Sequence, residues 1–261
     1  MPYRLDVDVA REGAAEALID LGALDVEVEG DSLAAILPDS ISPEVVREAL
    51  RVRDVRLTPT RAKDDGSIWR LRQRPVAVGE AVVALHESEA FGTGLHHTTA
   101  LCLDALHALL ASGSFAGGSL ARHACDRMLD VGTGSGVLAL AALKLGAGRA
   151  LGIDTDPQAI AAAAKNAELN GLSERLDLRC CGPGEVEGTW PLVVANIRAA
   201  ELMELAPAVV RRVASGGQLV LSGIPQAVAS EVERTYLRLG MVSAGRDARG
   251  GWTALIFRPS W

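Results

Sequence analysis

The sequence predicts an α/β protein: a Rossmann-like domain with a mostly parallel sheet and an antiparallel terminal strand, preceded by a small α+β domain. Three observations carry this. From Arg127 onward, short apolar runs alternate with helical patterns, as expected for a parallel sheet covered by helices on both faces. A glycine-rich bend, Asp130-Val131-Gly132-Thr133-Gly134-Ser135-Gly136, joins the first of those runs to a helix. Residues 1–59 read instead as β-α-β-β-α-β, the order of a ferredoxin-like split unit.

In the small domain, Tyr3–Val9 alternates like a strand and Glu12–Leu21 has helical periodicity that stops at Gly22. Leu24–Glu29 and Ser32–Leu37 are strands around a Gly30-Asp31 turn. Ser42, Pro43 and Glu44 supply a cap, a first-turn proline and an early acid for a second helix. Val52–Thr58 closes the unit as a strand. Residues 60–75 are charged, with Asp64, Asp65 and Gly66, and read as a linker anchored by Trp69.

The second domain spans 76–261. Val76–Leu85 predicts a hairpin turning at Gly79-Glu80, and Ala100–Leu110 a helix; Gly113–Ser119 is a flexible break. Strands are expected at Met128–Val131, Ala150–Asp154, Leu176–Cys180, Leu192–Ala195 and Gln218–Ser222. Helices are expected at Val137–Leu145, Pro157–Asn170, Ala199–Val213 and Gln226–Leu239. Val242–Arg246 and Trp252–Phe257 around Gly250-Gly251 form the terminal hairpin.

Composition narrows the function classes. Of the 261 residues 49% are hydrophobic and 23% charged, which suits a globular protein with a sizeable core. The net charge of −7 disfavours direct nucleic-acid binding, because phosphate neutralisation needs clustered Lys and Arg. A basic protein partner fits that sign better. Cys102, Cys125, Cys180 and Cys181 lack zinc spacing, so no metal is expected and a reduced, cytoplasmic setting follows. Met1–Val9 is charged, with an apolar run too short for a signal peptide, and no run reaches transmembrane length.

The chemistry concentrates in three places. In the bend, Gly132 and Gly134 let the backbone approach a ligand closely. Asp154, ending the next strand, is placed to accept both ribose hydroxyls of an adenosine. The spacing is GxGxG rather than the GxGxxG of dinucleotide sites. Asp130 would repel a pyrophosphate but suits a cofactor with a sulfonium and an ammonium, which points to S-adenosylmethionine. Upstream, Ala90-Phe91-Gly92-Thr93-Gly94-Leu95-His96-His97-Thr98-Thr99 is loop material. Phe91, Thr93 and Thr99 are candidate cofactor contacts there, with helix capping the alternative for Thr98 or Thr99. Finally, Asn196 ends an apolar strand where α/β proteins bind ligands. Its amide oxygen can accept a hydrogen bond from an amine, making it the candidate catalytic residue; a turn-capping Asn is the alternative.

Together Phe91–Thr99, Asp130–Gly136, Gly152–Pro157 and Asn196-Ile197 resemble the PrmA family of ribosomal protein methyltransferases. The resemblance covers roughly residues 88–224. It implies a class I methyltransferase domain, S-adenosylmethionine contacts at Thr99, Gly132, Asp154 and Asn196, and methyl transfer to amino groups of a ribosomal protein. It also implies that the small N-terminal domain recognises that protein, on a flexible linker.

The chain departs from the family in having His86-Glu87-Ser88-Glu89 where an acidic-Pro-Gly stretch is usual, one linker tryptophan, and Arg198 after Asn-Ile. These bear on the acceptor more than on the cofactor. A methyltransferase for another protein or a small molecule therefore stands as the alternative. An NAD-dependent oxidoreductase and a non-catalytic S-adenosylmethionine-binding module are the rivals of other classes.

Overall fold

Alternation along the first strand sets the small N-terminal sheet. In the computed structural model, β1 (Tyr3–Val7) turns Leu5 and Val7 inward. It is followed by α1 (Ala14–Asp20), β2 (Asp25–Glu29), β3 (Ser32–Leu37), α2 (Pro43–Leu50) and β4 (Arg56–Pro59). The strand order is β2-β3-β1-β4 with every neighbour antiparallel, the ferredoxin-like arrangement. Leu18 of α1 and Val46 of α2 close its core over Leu5 and Leu37. Ser42 caps α2 by accepting from Val45 N, with Pro43 in the first turn. β4 starts at Arg56, later than Val52, and Arg51 ends α2 with φ 52.

The structure describes residues 3–7, 13–23, 25–29, 32–38, 40–52, 55–59, 75–86, 96–112 and 125–261. The Gly30-Asp31 turn, Trp69, Phe91, Thr93 and the Gly113–Ser119 break lie outside them. The chain divides into two compact units, Met1–Gln73 and Arg74–Trp261.

The second unit opens with the hairpin β5 (Val76–Val78) and β6 (Ala81–Val83), turning at Gly79. After α3 (His97–Ser112) come β7 (Cys125–Val131), α4 (Val137–Lys144), β8 (Ala147–Asp154), α5 (Pro157–Leu169) and β9 (Leu176–Cys180). Then follow β10 (Trp190–Asn196), α6 (Ala199–Val210), β11 (Val213–Pro225), α7 (Ala229–Arg238), β12 (Met241–Arg249) and β13 (Trp252–Pro259). The sheet order is β12-β13-β11-β10-β7-β8-β9. β9 to β11 pair in parallel, and β13 runs antiparallel to both its neighbours.

Adjacent residues face opposite sides of this sheet, so each strand feeds two cores. Met128 and Val194 pack under α3 and α4, whereas Leu129 and Val193 pack under α6 and α7. Burial on both faces is why these strands read as unbroken apolar runs. α4 is buried at every position from Val137 to Leu143, which explains its lack of a polar stripe. Most strands extend beyond the apolar runs that announced them. β11 reaches from Val213 to Pro225, because ladder hydrogen bonds continue past the buried section.

Candidate functional site

The parallel strands end along one edge, and the chain's path splits there. From β7 it winds through α4 to β8; from β10 it winds the other way, through α6 to β11. β7 and β10 are neighbours, so a crevice opens between their carboxyl ends, where such sheets bind ligands. A cavity of about 650 Å³ lies there, within the range of roughly 300–1,000 Å³ typical of small-molecule sites.

Gly132, Gly134 and Gly136 have φ of 73, 54 and 80, a region that other residues enter only at a cost of about 1–2 kcal/mol. The bend is tied down by its own amides. Gly132 and Thr133 both donate to the Ile153 carbonyl, and Gly136 donates to that of Thr133. Gly134 N donates to Asp154 Oδ2 at 3.0 Å, and Asp156 N donates to Asp154 Oδ1 at 3.0 Å. The carboxylate is thereby oriented, with each oxygen keeping further lone-pair capacity for a ligand hydroxyl. Asp156 also caps α5 through Gln158 N.

Gly132, Gly134, Asp154 and Asn196 all line the one cavity. Asn196 stands at the end of β10, its Nδ2 donating to Thr99 Oγ1 at 3.4 Å. Its Oδ1 is buried and has no hydrogen-bond partner among the described residues. A buried polar atom left unpaired in this way is costly, so it marks a place where a ligand donor belongs.

Two residues expected to touch the cofactor sit behind the wall instead. Thr99 is 1% exposed and does not line the cavity; being in the first turn of α3, it reaches Asn196 rather than the open space. Asp130 is 0% exposed and also absent from the lining, because its side chain turns inward and accepts from Thr133 Oγ1 at 2.8 Å. Burial raises its carboxyl from 3.8 to about 6, partly offset by the Thr133 hydroxyl. Among the described residues its Oδ1 is a second buried oxygen without a hydrogen-bond partner; the Ala139 amide on α4 also holds the carboxyl down. Phe91 and Thr93 fall outside the described residues.

Several wall residues went unmarked in the sequence. His96 and Trp252 meet edge-on with ring centroids 5.0 Å apart, and both line the cavity. Trp252 arrives from the far end of the terminal hairpin, so no local pattern announces it. Cys181-Gly182-Pro183 follows β9 on the same edge and could have been located by counting strand ends. Ile197 is wedged between two glycines. A Cβ on Gly132 would stand 2.3 Å from Ile197 Cγ2, and one on Gly223 would stand 2.1 Å from the Ile197 carbonyl oxygen. On α6, Glu201 and Glu204 face the cavity alongside Arg198, which Glu201 pairs. With Asp154, that leaves the lining net acidic and suited to cationic ligands. Among the described residues no cluster of three metal-ligating side chains occurs.

Sheet order, glycine bend and strand-end carboxylate together define the class I methyltransferase fold. The profile of the family described as ribosomal protein L11 methyltransferase (PrmA) matches residues 52–260. The chain belongs to that family. It is 48% identical over 160 residues to the ribosomal protein L11 methyltransferase of Stenotrophomonas maltophilia (strain K279a), covering 61% of this chain and 49% of that protein. A relative of the same name from Pelobacter propionicus is 32% identical over 219 residues, covering 77% and 69% of the two chains. The crystal structure of ribosomal protein L11 methylase from Lactobacillus delbrueckii subsp. bulgaricus superposes with a TM-score of 0.57 at 30% identity, covering 66% of this chain and 82% of that one. The chain spans about half the length of several curated relatives it matches.

Proposed function

We propose that the protein transfers methyl groups from S-adenosylmethionine to amino groups of a protein, lysine side chains or an N-terminus, and that the acceptor is a ribosomal protein. The observation that carries this reading is Asn196 Oδ1, without a partner among the described residues, in the same cavity as Asp154 and the glycine bend. Asp154 takes the ribose hydroxyls, Gly132 and Gly134 admit the cofactor's backbone-facing side, and Asn196 receives the acceptor amine. Asp130, one layer behind, contributes negative charge toward a cationic amino-acid tail.

When bound, S-adenosylmethionine supplies an electrophilic methyl on a positively charged sulfur. The residues of the chain need only present a neutral amine to it in line. A lysine amine, with a reference pKa of about 10.4, costs roughly 4.6 kcal/mol to deprotonate at pH 7. Desolvation in the crevice lowers that cost. Asn196 Oδ1 accepts one N–H and so turns the nitrogen lone pair toward the methyl. Thr99 holds the amide in that orientation. Held so, the amine nitrogen would lie in line with the methyl that the cofactor would supply, sulfur would keep the bonding pair, and the excess amine proton would leave to solvent. Alignment is the main source of rate in such a site.

The ferredoxin-like domain, residues 1–59, serves as the recognition element for the acceptor on the linker 60–75. A basic ribosomal protein suits both the overall charge of −7 and the acidic lining. Neither direct nucleic-acid binding nor a membrane is part of this reading. Among the described residues no helix is long and apolar enough to cross a membrane. Cys102, Cys125, Cys180 and Cys181 are all free thiols, in keeping with a cytoplasmic setting.

The test is incubation of the purified protein with methyl-labelled S-adenosylmethionine and total ribosomal proteins, followed by mass spectrometry. Label on lysine or N-terminal nitrogens of one ribosomal protein is the expected result. Label confined to another protein or a small molecule would move the acceptor. Absence of transfer despite cofactor binding would leave a binding module in place of an enzyme.

A further inference from the structure

The buried stripe of α5 runs through Ala159, Ala162, Ala163, Asn166 and Ala167. Asn166 is the polar member and is 0% exposed. A polar amide there is tolerated only if both its ends are satisfied. They are, by two different parts of the chain. Its Nδ2 donates to the Ser135 carbonyl at 2.8 Å, inside the glycine bend. Its Oδ1 accepts from His86 N at 2.5 Å, on the stretch leaving the β5–β6 hairpin.

One turn further on, Asn170 grips the same stretch. Its Oδ1 accepts from Ala84 N at 3.0 Å and its Nδ2 donates to Ala84 O at 2.6 Å. The two asparagines thus share one strip of backbone, but of the two only Asn166 bonds to the bend. α5 meets the bend at a second point, since a Cβ on Gly136 would lie 3.1 Å from Ala163 Cβ. The Ser135 carbonyl lies in the Ser135–Gly136 peptide, two peptide units beyond the Gly134 amide that orients Asp154, so holding it restrains the bend between them.

We infer that Asn166 is a positioning residue for the cofactor cradle, holding the glycine bend in its ligand-ready shape from behind. This rests on the reading of the cavity as an adenosine site. Asn170 provides the internal comparison: it anchors the hairpin exit without reaching the bend.

The experiment measures S-adenosylhomocysteine affinity of the full chain by calorimetry, with melting temperature recorded in parallel, for wild type, Asn166→Ala, Asn166→Asp and Asn170→Ala. Asn166→Ala should bind about tenfold more weakly, whereas Asn170→Ala should stay within about twofold despite a comparable fall in melting temperature. At pH 8, Asn166→Asp should bind weakly, since a carboxylate oxygen faces the Ser135 carbonyl. Relative to wild type at each pH, its affinity should recover toward pH 5.5 as the protonated acid supplies the missing donor. A purely structural asparagine would show no such pH profile. If Asn166→Asp does not fold, the contrast between the two alanine variants decides. Equal affinities for Asn166→Ala and Asn170→Ala overturn the inference alone. Failure of the wild type to bind S-adenosylhomocysteine overturns the adenosine reading as well.

Discussion

The side-chain nitrogen of Asn196 donates to the hydroxyl of Thr99 across 3.4 Å, joining the end of β10 to the first turn of α3. This bond orients the amide, and in the proposed reading its oxygen is left for the acceptor amine. Asn196→Ala should therefore reduce turnover roughly 10²-fold through lost alignment, with cofactor affinity changing by no more than about threefold. Thr99→Val keeps the shape and removes the acceptor, and should lower turnover about tenfold. Steady-state rates with calorimetric affinities check both. Equal losses of turnover and affinity in Asn196→Ala would make the residue a cofactor clamp.

Asp154 is held by two backbone amides, so its removal loses both a ligand partner and an anchor of the bend. Asp154→Ala should weaken S-adenosylhomocysteine binding by about 10- to 100-fold. Unchanged affinity in a calorimetric titration would refute the ribose assignment.

Asp130 makes ligand-free stability pH-dependent. Burial raises its carboxyl from 3.8 to about 6 in the folded protein; Thr133 donates to it, Asp154 is a nearby group of the same sign, and the buried Cys102 thiol beside it stays neutral. Between those values the folded state binds more protons than the unfolded one. Its stabilising contribution is complete below 3.8 and is lost as pH rises through about 6. Asp130→Asn lacks this slope, so its stability relative to wild type should rise between pH 4.5 and 7.5 by at most about 3 kcal/mol. Thermal unfolding across that range checks it, and a flat difference would show that Asp130 ionises normally in the folded protein.

Ile197 separates two glycines with different neighbours. Gly132→Ala collides with a side-chain methyl, which Ile197→Ala removes, whereas Gly223→Ala collides with the Ile197 backbone. The loss of stability in Gly132→Ala should be largely relieved in the double variant, leaving the left-handed penalty of about 1–2 kcal/mol. Gly223→Ala should gain little from the same change. Denaturant unfolding of the two pairs gives the coupling energies.

The clustering of Gly132, Gly134 and Asp154 at one cavity was legible because its signals are local. Gly132 and Gly134 fall in one bend, and Asp154 ends the next apolar run, so strand alternation places all three on one edge. Of the wall opposite, only Asn196 was legible. Trp252 and His96 are 156 positions apart by number, and nothing in either neighbourhood foretells the ring contact. Residue type and order do not reveal which way a side chain turns, so nothing in the sequence shows that Thr99 and Asp130 stay off the cavity wall.

By itself the sequence determined the elements, their order and the chemistry at the strand ends, since hydrophobic period, glycine bends and helix caps act over a few residues each. Tertiary structure decided which of those groups share a wall and which stand behind it. It buried Asp130 and Thr99 off the cavity wall, brought Trp252 to the crevice from the last hairpin, and gave Asn166 its two partners. The physical reason is range: hydrogen bonds and packing between segments far apart in sequence depend on how layers stack and strands register, which no local pattern encodes.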